Sequence, residues 1–378
     1  DIPGNPVVLS YLMLTEEKLY LFIHKETLNE ETKAYLADLG VSVKPYDAVY
    51  EYVKSIRDET VLLESSRTNY AIFHLLDSSN RIVDAMNPTA LAKAVKNPVE
   101  IENMKRAHIK DGVAVTKFIY WLKSNIGQIP MDEMSVAEHL EGLRKQQKGY
   151  IEPSFSTISA YGSNAAMCHY RATEETNRKL EPRGLYLVDS GGQYFEGTTD
   201  ITRTIALGEL TKDEREHFTL TVMAMLRLGS VKFLYGCRGM NLDYAAREVL
   251  FQRVELDWNR SWWLPVNVCA SRDPLEVVPE RQDSGVLEAG MVTSDEPGVY
   301  IEGSHGIRTE NLLLCKEAEK NLYGQFMEFE YLTFAPIDLD AIDVSIMEDK
   351  DVERLNQYHQ AVYEKLAPYL EEKEHGQA

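Results

Sequence analysis

Three stretches of this 378-residue chain place a carboxylate where a strand should be most apolar, and that placement constrains the fold most. Leu185-Tyr186-Leu187-Val188 reads as a buried strand, and Asp189 ends it before Ser190-Gly191-Gly192. The glycines permit a tight turn. Gly197-Thr198-Thr199-Asp200 then opens a second strand, Ile201-Thr202-Arg203-Thr204. The link is hairpin-sized, so Asp189 and Asp200 can face each other. The third stretch is Ser294-Asp295-Glu296-Pro297-Gly298-Val299-Tyr300. It is followed by Gly306-Ile307-Arg308-Thr309-Glu310-Asn311, which returns a strand through Glu310. Any one of these carboxylates alone reads as an ordinary turn residue. Four converging in a core would repel one another. Two divalent cations shared among them relieve that repulsion and acidify a water at neutral pH.

The rest of the chain supplies a frame for such a core. It is 44% hydrophobic and 26% charged, a globular composition long enough for two domains. No apolar run is long enough to span a bilayer. The net charge of −20, with no basic cluster, argues against nucleic acid or an anionic membrane as partner. Cys168, Cys237, Cys269 and Cys315 show no paired spacing, which reads as reduced, intracellular thiols and a cytoplasmic protein. Residues 7–95 alternate short strand-like and helix-like pieces, with strands expected at Val7–Leu14, Lys18–His24, Val61–Ser65 and Arg81–Ala85. Together they suggest a small α/β domain. A long amphipathic helix follows from Glu100 to about Ile126, with Ile101, Met104, Ala107, Ala114 and Phe118 on one stripe. A second helix is expected over Ser135–Gln146, opened by a Ser135…Glu138 capping box. Asp213–Phe233 and Asp351–Tyr369 read as further helices.

The carboxylate stretches resemble the signature blocks of the Xaa-Pro aminopeptidase (aminopeptidase P) branch of the M24 metallopeptidases. Pro153-Ser154-Phe155, Ser163-Asn164-Ala165 and His169-Tyr170 resemble that family's substrate-side block, and Phe329–Asp338 its C-terminal block. The resemblance covers roughly residues 1–370. It implies an α/β (α+β) protein with a pita-bread catalytic domain of the creatinase/methionine aminopeptidase type, preceded by a creatinase-N-like domain. The implied domains are 1–10, the remnant of a lost N-terminal domain, then 11–97, the middle domain. Residues 98–345 would be the catalytic domain and 346–378 a helical extension. Asp189 would bind one metal, Asp200 and Glu310 would bridge the pair, and Glu296 would bind the second metal and assist proton transfer. His169 would hold the substrate, and Arg308 would orient Glu310 or Asp200. The implied cofactors are two divalent ions, Mn²⁺ first and Zn²⁺ second. The implied reaction removes an N-terminal residue preceding proline, so the partners are peptides with proline second. A homodimer is the candidate assembly.

The sequence departs from the family in one place. The family's Gly-Thr-Gly-His-Gly block supplies a fifth metal ligand, and its Asn-Val-His-Glu block a catalytic histidine. Both belong between Leu256 and Met291, where this chain has no histidine. Near the expected ligand stand Trp262 and Trp263. A natural loss, a substitute residue and a misread frame compete as explanations. Because Trp has a single codon, a one-base shift across Trp258–Pro265 forces glycine at three points and permits Gly-Thr-Gly-His-Gly-Gly-Tyr. The same shift turns Asp273-Pro274-Leu275-Glu276 toward Ile-Arg-Trp, and family-like sequence resumes by Val278–Ser284. The two hits, in the expected order, favour a frameshift over a natural pseudoenzyme that only binds peptides or proteins. As written, the chain is expected to bind metal weakly and to be impaired in catalysis.

Overall fold

A computed structural model describes residues 4–252 and 285–377. The tryptophan-rich segment Asn259–Glu276, with Trp258 before it, lies outside the described residues. Chain contacts divide the molecule into two units, Asp1–Leu91 and Ala92–Ala378.

The first unit contains strands β1 (Ser10–Leu14) and β2 (Leu19–Ile23), then helix α1 (Glu30–Asp38), strand β3 (Val41–Pro45) and helix α2 (Ala48–Ser55). Strand β4 (Thr60–Leu63), helix α3 (Tyr70–Leu75) and strand β5 (Arg81–Asp84) follow. β1 and β2 pair antiparallel, whereas β2–β3 and β4–β5 pair parallel. Each parallel pair has helix between its strands, as a crossover requires. Phe22, Val49 and Val53 form its buried centre, ringed by Tyr11, Tyr20 and Tyr52. The predicted strand from Val7 starts only at Ser10, and Val7, Val8 and Leu9 are exposed. Helix α4 (Pro88–Ala94) runs across the boundary between the units.

In the second unit, helix α5 (Pro98–Asn125) starts at an Asn97/Glu100 capping box with Pro98 in its first turn. Helix α6 (Glu133–Lys145) begins two residues before the expected Ser135. Its N-cap is Asp132, which accepts from the Ser135 amide, so Ser135 closes the box rather than opening it. Strands β6 (Tyr150–Pro153), β7 (Ile158–Tyr161), β8 (Leu185–Ser190), β9 (Gly192–Tyr194), β10 (Gly197–Thr198) and β11 (Ile201–Ala206) come next. They form two three-stranded sheets, β10-β9-β6 and β11-β8-β7. Helix α7 (Lys212–Gly229) ends at Ser230, and strand β12 (Lys232–Leu234) takes over. The predicted helix to Phe233 is therefore four residues too long. Phe233 points into the core from an edge strand, where an apolar run fits either period. Helix α8 (Gly239–Phe251) precedes β13 (Val292–Asp295), β14 (Gly298–Ile301), β15 (His305–Arg308), β16 (Asn311–Asn321) and β17 (Gly324–Tyr331). The order β12-β17-β16-β13 makes a four-stranded sheet, and β14-β15 form a separate hairpin. Helix α9 (Asp349–Leu366) closes the chain.

Three of the apolar clusters that hold this unit are the largest. Phe118, Leu122, Val136 and Leu140 of α5 and α6 pack on Tyr186, Val188, Ile201 and Ile205 of β8 and β11. Leu220, Ala224, Ala246 and Val249 of α7 and α8 pack on Leu313, Cys315 and Met327. Leu355, Val362 and Leu366 of α9 join Phe218 and Val222 in a third. Among the described residues no helix is long and apolar enough to cross a membrane.

Candidate active site

Two bent antiparallel hairpins present the acidic residues. β8 and β11 pair from Leu185↔Ala206 to Ser190↔Ile201, and each then breaks before continuing as β9 and β10. Asp189 lies at the end of the paired stretch, and Asp200 lies in the break before Ile201. β13 pairs with β16 as far as Asp295↔Asn311, whereas β14 pairs with β15 from Gly298↔Arg308. Glu296 and Glu310 fall in the gap between these two registers. The hairpins are fastened to each other: the Glu310 amide donates to the Thr202 carbonyl at 3.1 Å. Thr204 Oγ1 donates to the Arg308 carbonyl at 2.9 Å.

Gly191 is required at the first bend. Neither it nor Gly192 takes a positive φ, so a left-handed turn is not the reason. A Cβ at Gly191 would collide with the Thr199 carbonyl and Ser154 Oγ. The glycine lets two backbones meet where the chain changes direction. Gly306 has the same function, because a Cβ there would strike the Ala165 carbonyl of the loop that leads to His169.

Carboxylate oxygens of Asp189, Asp200 and Glu310 lie within 4.8 Å of one another. Glu296 shares their field: Asp189 raises its pKa, and Glu296 in turn raises that of Glu310. The neighbouring cation is Arg308. Its Nη2 donates to Asp189 Oδ2 at 2.6 Å and its Nη1 to the Tyr300 hydroxyl at 2.6 Å. Arg308 therefore engages Asp189 directly. It reaches Glu310 only through Thr202, whose hydroxyl receives Arg308 Nε at 3.3 Å and donates to Glu310 Oε2 at 2.8 Å. Ser294 Oγ donates to Glu296 Oε1 at 2.8 Å. Among the described residues, one guanidinium donating to a side chain of this cluster does not neutralise this many carboxylates. Burial, then repulsion from Asp200, Glu296 and Asp189, hold Glu310 well above the carboxylate range. Burial, with Asp189 opposed by Arg308, pushes Glu296 up to about 7. Asp189 Oδ1 is buried and has no hydrogen-bond partner among the described residues. An oxygen-donor set that is crowded, with Asp189 and Glu310 buried and Asp200 half-buried, and short of positive charge among the described residues, fits divalent cations.

His169 is exposed, on the loop after β7. Its neighbour Cys168 lies in the field of Arg308 and Glu296, and burial raises its thiol above the ordinary value. That loop hangs from Glu133, which is fully buried. Glu133 Oε1 accepts from the Tyr161 amide at 2.7 Å, and Oε2 accepts from the Tyr170 hydroxyl at 2.8 Å and the Arg178 amide at 2.9 Å. Asn164 Nδ2 bridges both oxygens at 3.0 and 3.1 Å. Arg203 is the hub behind the acidic residues. It donates to the carbonyls of Glu310, Thr202, Ala335 and Pro336, to Asn311 Oδ1 and to Tyr358 of α9. The sequence reading gave Glu133 and Arg203 no role. Glu330, on β17, pairs with Lys105 at 2.8 Å.

The model of metallopeptidase family M24 matches residues 102–317, the creatinase/prolidase N-terminal domain matches 1–100, and the C-terminal region of peptidase M24 matches 325–378. Xaa-Pro aminopeptidase 2 of Mus musculus is 35% identical over 383 residues, which is 99% of this chain and 56% of that protein. The chain thus spans about half the length of that curated relative. The crystal structure of an X-prolyl aminopeptidase from Caenorhabditis elegans, described as a cytosolic enzyme with a di-nuclear active site, superposes with a TM-score of 0.86 at 30% identity. It covers 98% of this chain and 62% of that one. An Xaa-Pro dipeptidase from Bacillus anthracis, at 20% identity and a TM-score of 0.67 over 89% of this chain and 90% of its own, shares the fold. The architecture is accordingly a creatinase-N-like unit followed by a pita-bread domain. With more than half of its length matched by the M24 model, this chain belongs to metallopeptidase family M24.

Proposed function

We propose that the chain is the metal-carrying part of an Xaa-Pro aminopeptidase that hydrolyses the bond between an N-terminal residue and a following proline. The observation that carries this is the trio of carboxylates within 4.8 Å, on a chain 30% identical to a cytosolic X-prolyl aminopeptidase with a di-nuclear active site. Asp189, Asp200, Glu296 and Glu310 would hold two divalent ions. When bound, such ions lower the pKa of a water and stabilise the oxyanion that develops at the scissile carbonyl. Glu296 would take a proton from the attacking water and release it to the leaving proline nitrogen. Arg308 fixes Asp189 and, through Thr202, Glu310. His169, on its exposed loop, would meet the peptide. Oxygen donors favour the harder Mn²⁺, with Zn²⁺ the second choice. The partners are peptides with proline in second place, the compartment is the cytoplasm, and a homodimer is the candidate assembly.

The absence of histidine between Leu256 and Met291 supports a second reading, a pita-bread module that binds peptides without cleaving them. Sequencing the gene across codons 256–278 separates the two. A restored Gly-His-Gly frame supports the enzyme, and a single open frame without a histidine codon supports the binding module. The direct test is hydrolysis of an Xaa-Pro-Xaa peptide with Mn²⁺ by the frame-repaired chain. Turnover on the order of 10 s⁻¹ is expected, and none would contradict the proposal. The chain as written should turn over far more slowly.

A further inference from the structure

We infer that Asp111 and Arg144, a buried ion pair between α5 and α6, are positioning residues that set the spacing of Asp189 and Asp200 and so tune metal affinity. This rests on the reading of those aspartates as metal ligands. Asp111 is 0% and Arg144 2% exposed, which makes theirs a costly place for charge. Arg144 Nε donates to Asp111 Oδ1 at 2.6 Å and Nη2 to Oδ2 at 3.1 Å. The same Nη2 donates to the carbonyl of Ser190, the residue after Asp189, at 3.2 Å. Asp111 Oδ2 accepts from the hydroxyl of Thr199, the residue before Asp200, at 2.7 Å. Its Oδ1 accepts from the Tyr194 hydroxyl on the hairpin at 3.0 Å.

One pair thus grips the neighbour of each aspartate, at the bend where strand pairing is interrupted. The Thr199 hydroxyl closes the clamp, because it also accepts from the Gly192 amide at 2.9 Å. Ser154 Oγ holds the Thr199 carbonyl at 2.9 Å. A planar guanidinium can serve the carboxylate and a carbonyl together, which a lysine ammonium does less well. A buried pair of this kind adds little net stability, and its use is better sought in geometry.

The test severs the clamp from the hairpin and leaves the pair in place. In the full chain, Thr199→Val removes the hydroxyl, Thr199→Ser keeps it, and Arg144→Lys keeps the charge but loses the fork. Leu242→Ala, in the separate core under α8, serves as a control for plain destabilisation. Two readouts are taken: Mn²⁺ affinity by calorimetry, and amide exchange of Gly192–Thr199 in metal-free protein. Thr199→Val and Arg144→Lys should weaken Mn²⁺ binding about tenfold and speed exchange across the hairpin. Thr199→Ser should restore both, and Leu242→Ala should move neither. Unchanged affinity and exchange in Thr199→Val and Arg144→Lys would overturn the inference. If neither the written nor the frame-repaired chain takes up Mn²⁺, the reading of the aspartates as ligands fails. The exchange result then decides the clamp alone: faster exchange supports it and unchanged exchange overturns it.

Discussion

Two groups of buried carboxylates in the second unit are treated in opposite ways. Both oxygens of Asp111 receive a guanidinium N–H and a hydroxyl. Both oxygens of Glu133 receive amide or hydroxyl donors from one loop. Around Asp189, by contrast, one buried carboxylate oxygen has no hydrogen-bond partner among the described residues, and burial with mutual repulsion pushes Glu296 and Glu310 toward their protonated forms. A carboxylate paired this fully is part of the frame. A crowd of buried carboxylates without matching donors is a place that a cation completes.

The contrast breaks most sharply if each region is stripped of one charge. Arg144→Met leaves Asp111 buried without its cation, and should cost about 3–5 kcal/mol in denaturant unfolding. Glu310→Gln instead removes a carboxyl that burial and its acidic neighbours make costly to ionise. It should raise the melting temperature of metal-free protein by at least about 2 °C, while weakening Mn²⁺ binding by more than about 10–100-fold, the scale for losing only a ligand's supporting partner. Equal destabilisation by both substitutions would erase the distinction.

The next effect in size concerns the missing nitrogen ligand. Replacing Trp258–Pro265 with the shifted reading, histidine included, should strengthen Mn²⁺ or Zn²⁺ binding by more than about 10–100-fold, since a direct ligand is restored. No gain on repair would count against the frameshift account.

A smaller effect follows from pH. Glu296 is pushed up to about 7 and Glu310 lies well above its ordinary range, so protons must leave before cations enter. Mn²⁺ affinity should therefore fall as pH drops below 7, by at least about tenfold per pH unit. Calorimetry in buffers of different ionisation enthalpy should show proton release. A pH-independent affinity would mean that these carboxylates are already charged in the metal-free protein.

The two regions were unequally legible in the sequence. Asp189 and Asp200 announce themselves locally, because an acid at the end of Leu185–Val188 breaks an apolar strand. Asp111 and Arg144 lie on helices, where charge reads as a solvated face. Their signal was still present. Asp111 stands four residues after Ala107 and three before Ala114, on the apolar stripe, and Arg144 continues Val136 and Leu140. What no local pattern supplies is the partner: Asp111 meets Thr199 across 88 positions. Glu133 was hidden because the cap of α6 was assigned to Ser135 rather than Asp132. Arg308 was expected against Glu310 or Asp200, yet its fork is taken by Asp189 and Tyr300, a choice set by how two hairpins cross.

The central claim is that the crowded carboxylates form a divalent-cation site, and titration of metal-free protein with Mn²⁺ at neutral pH tests it most directly. The account predicts saturable heat with release of protons, abolished by the paired change Asp200→Asn and Glu310→Gln and untouched by Glu330→Gln, whose carboxylate pairs with Lys105. Binding that survives the loss of Asp200 and Glu310, or no saturable binding in either the written or the frame-repaired chain, would contradict it.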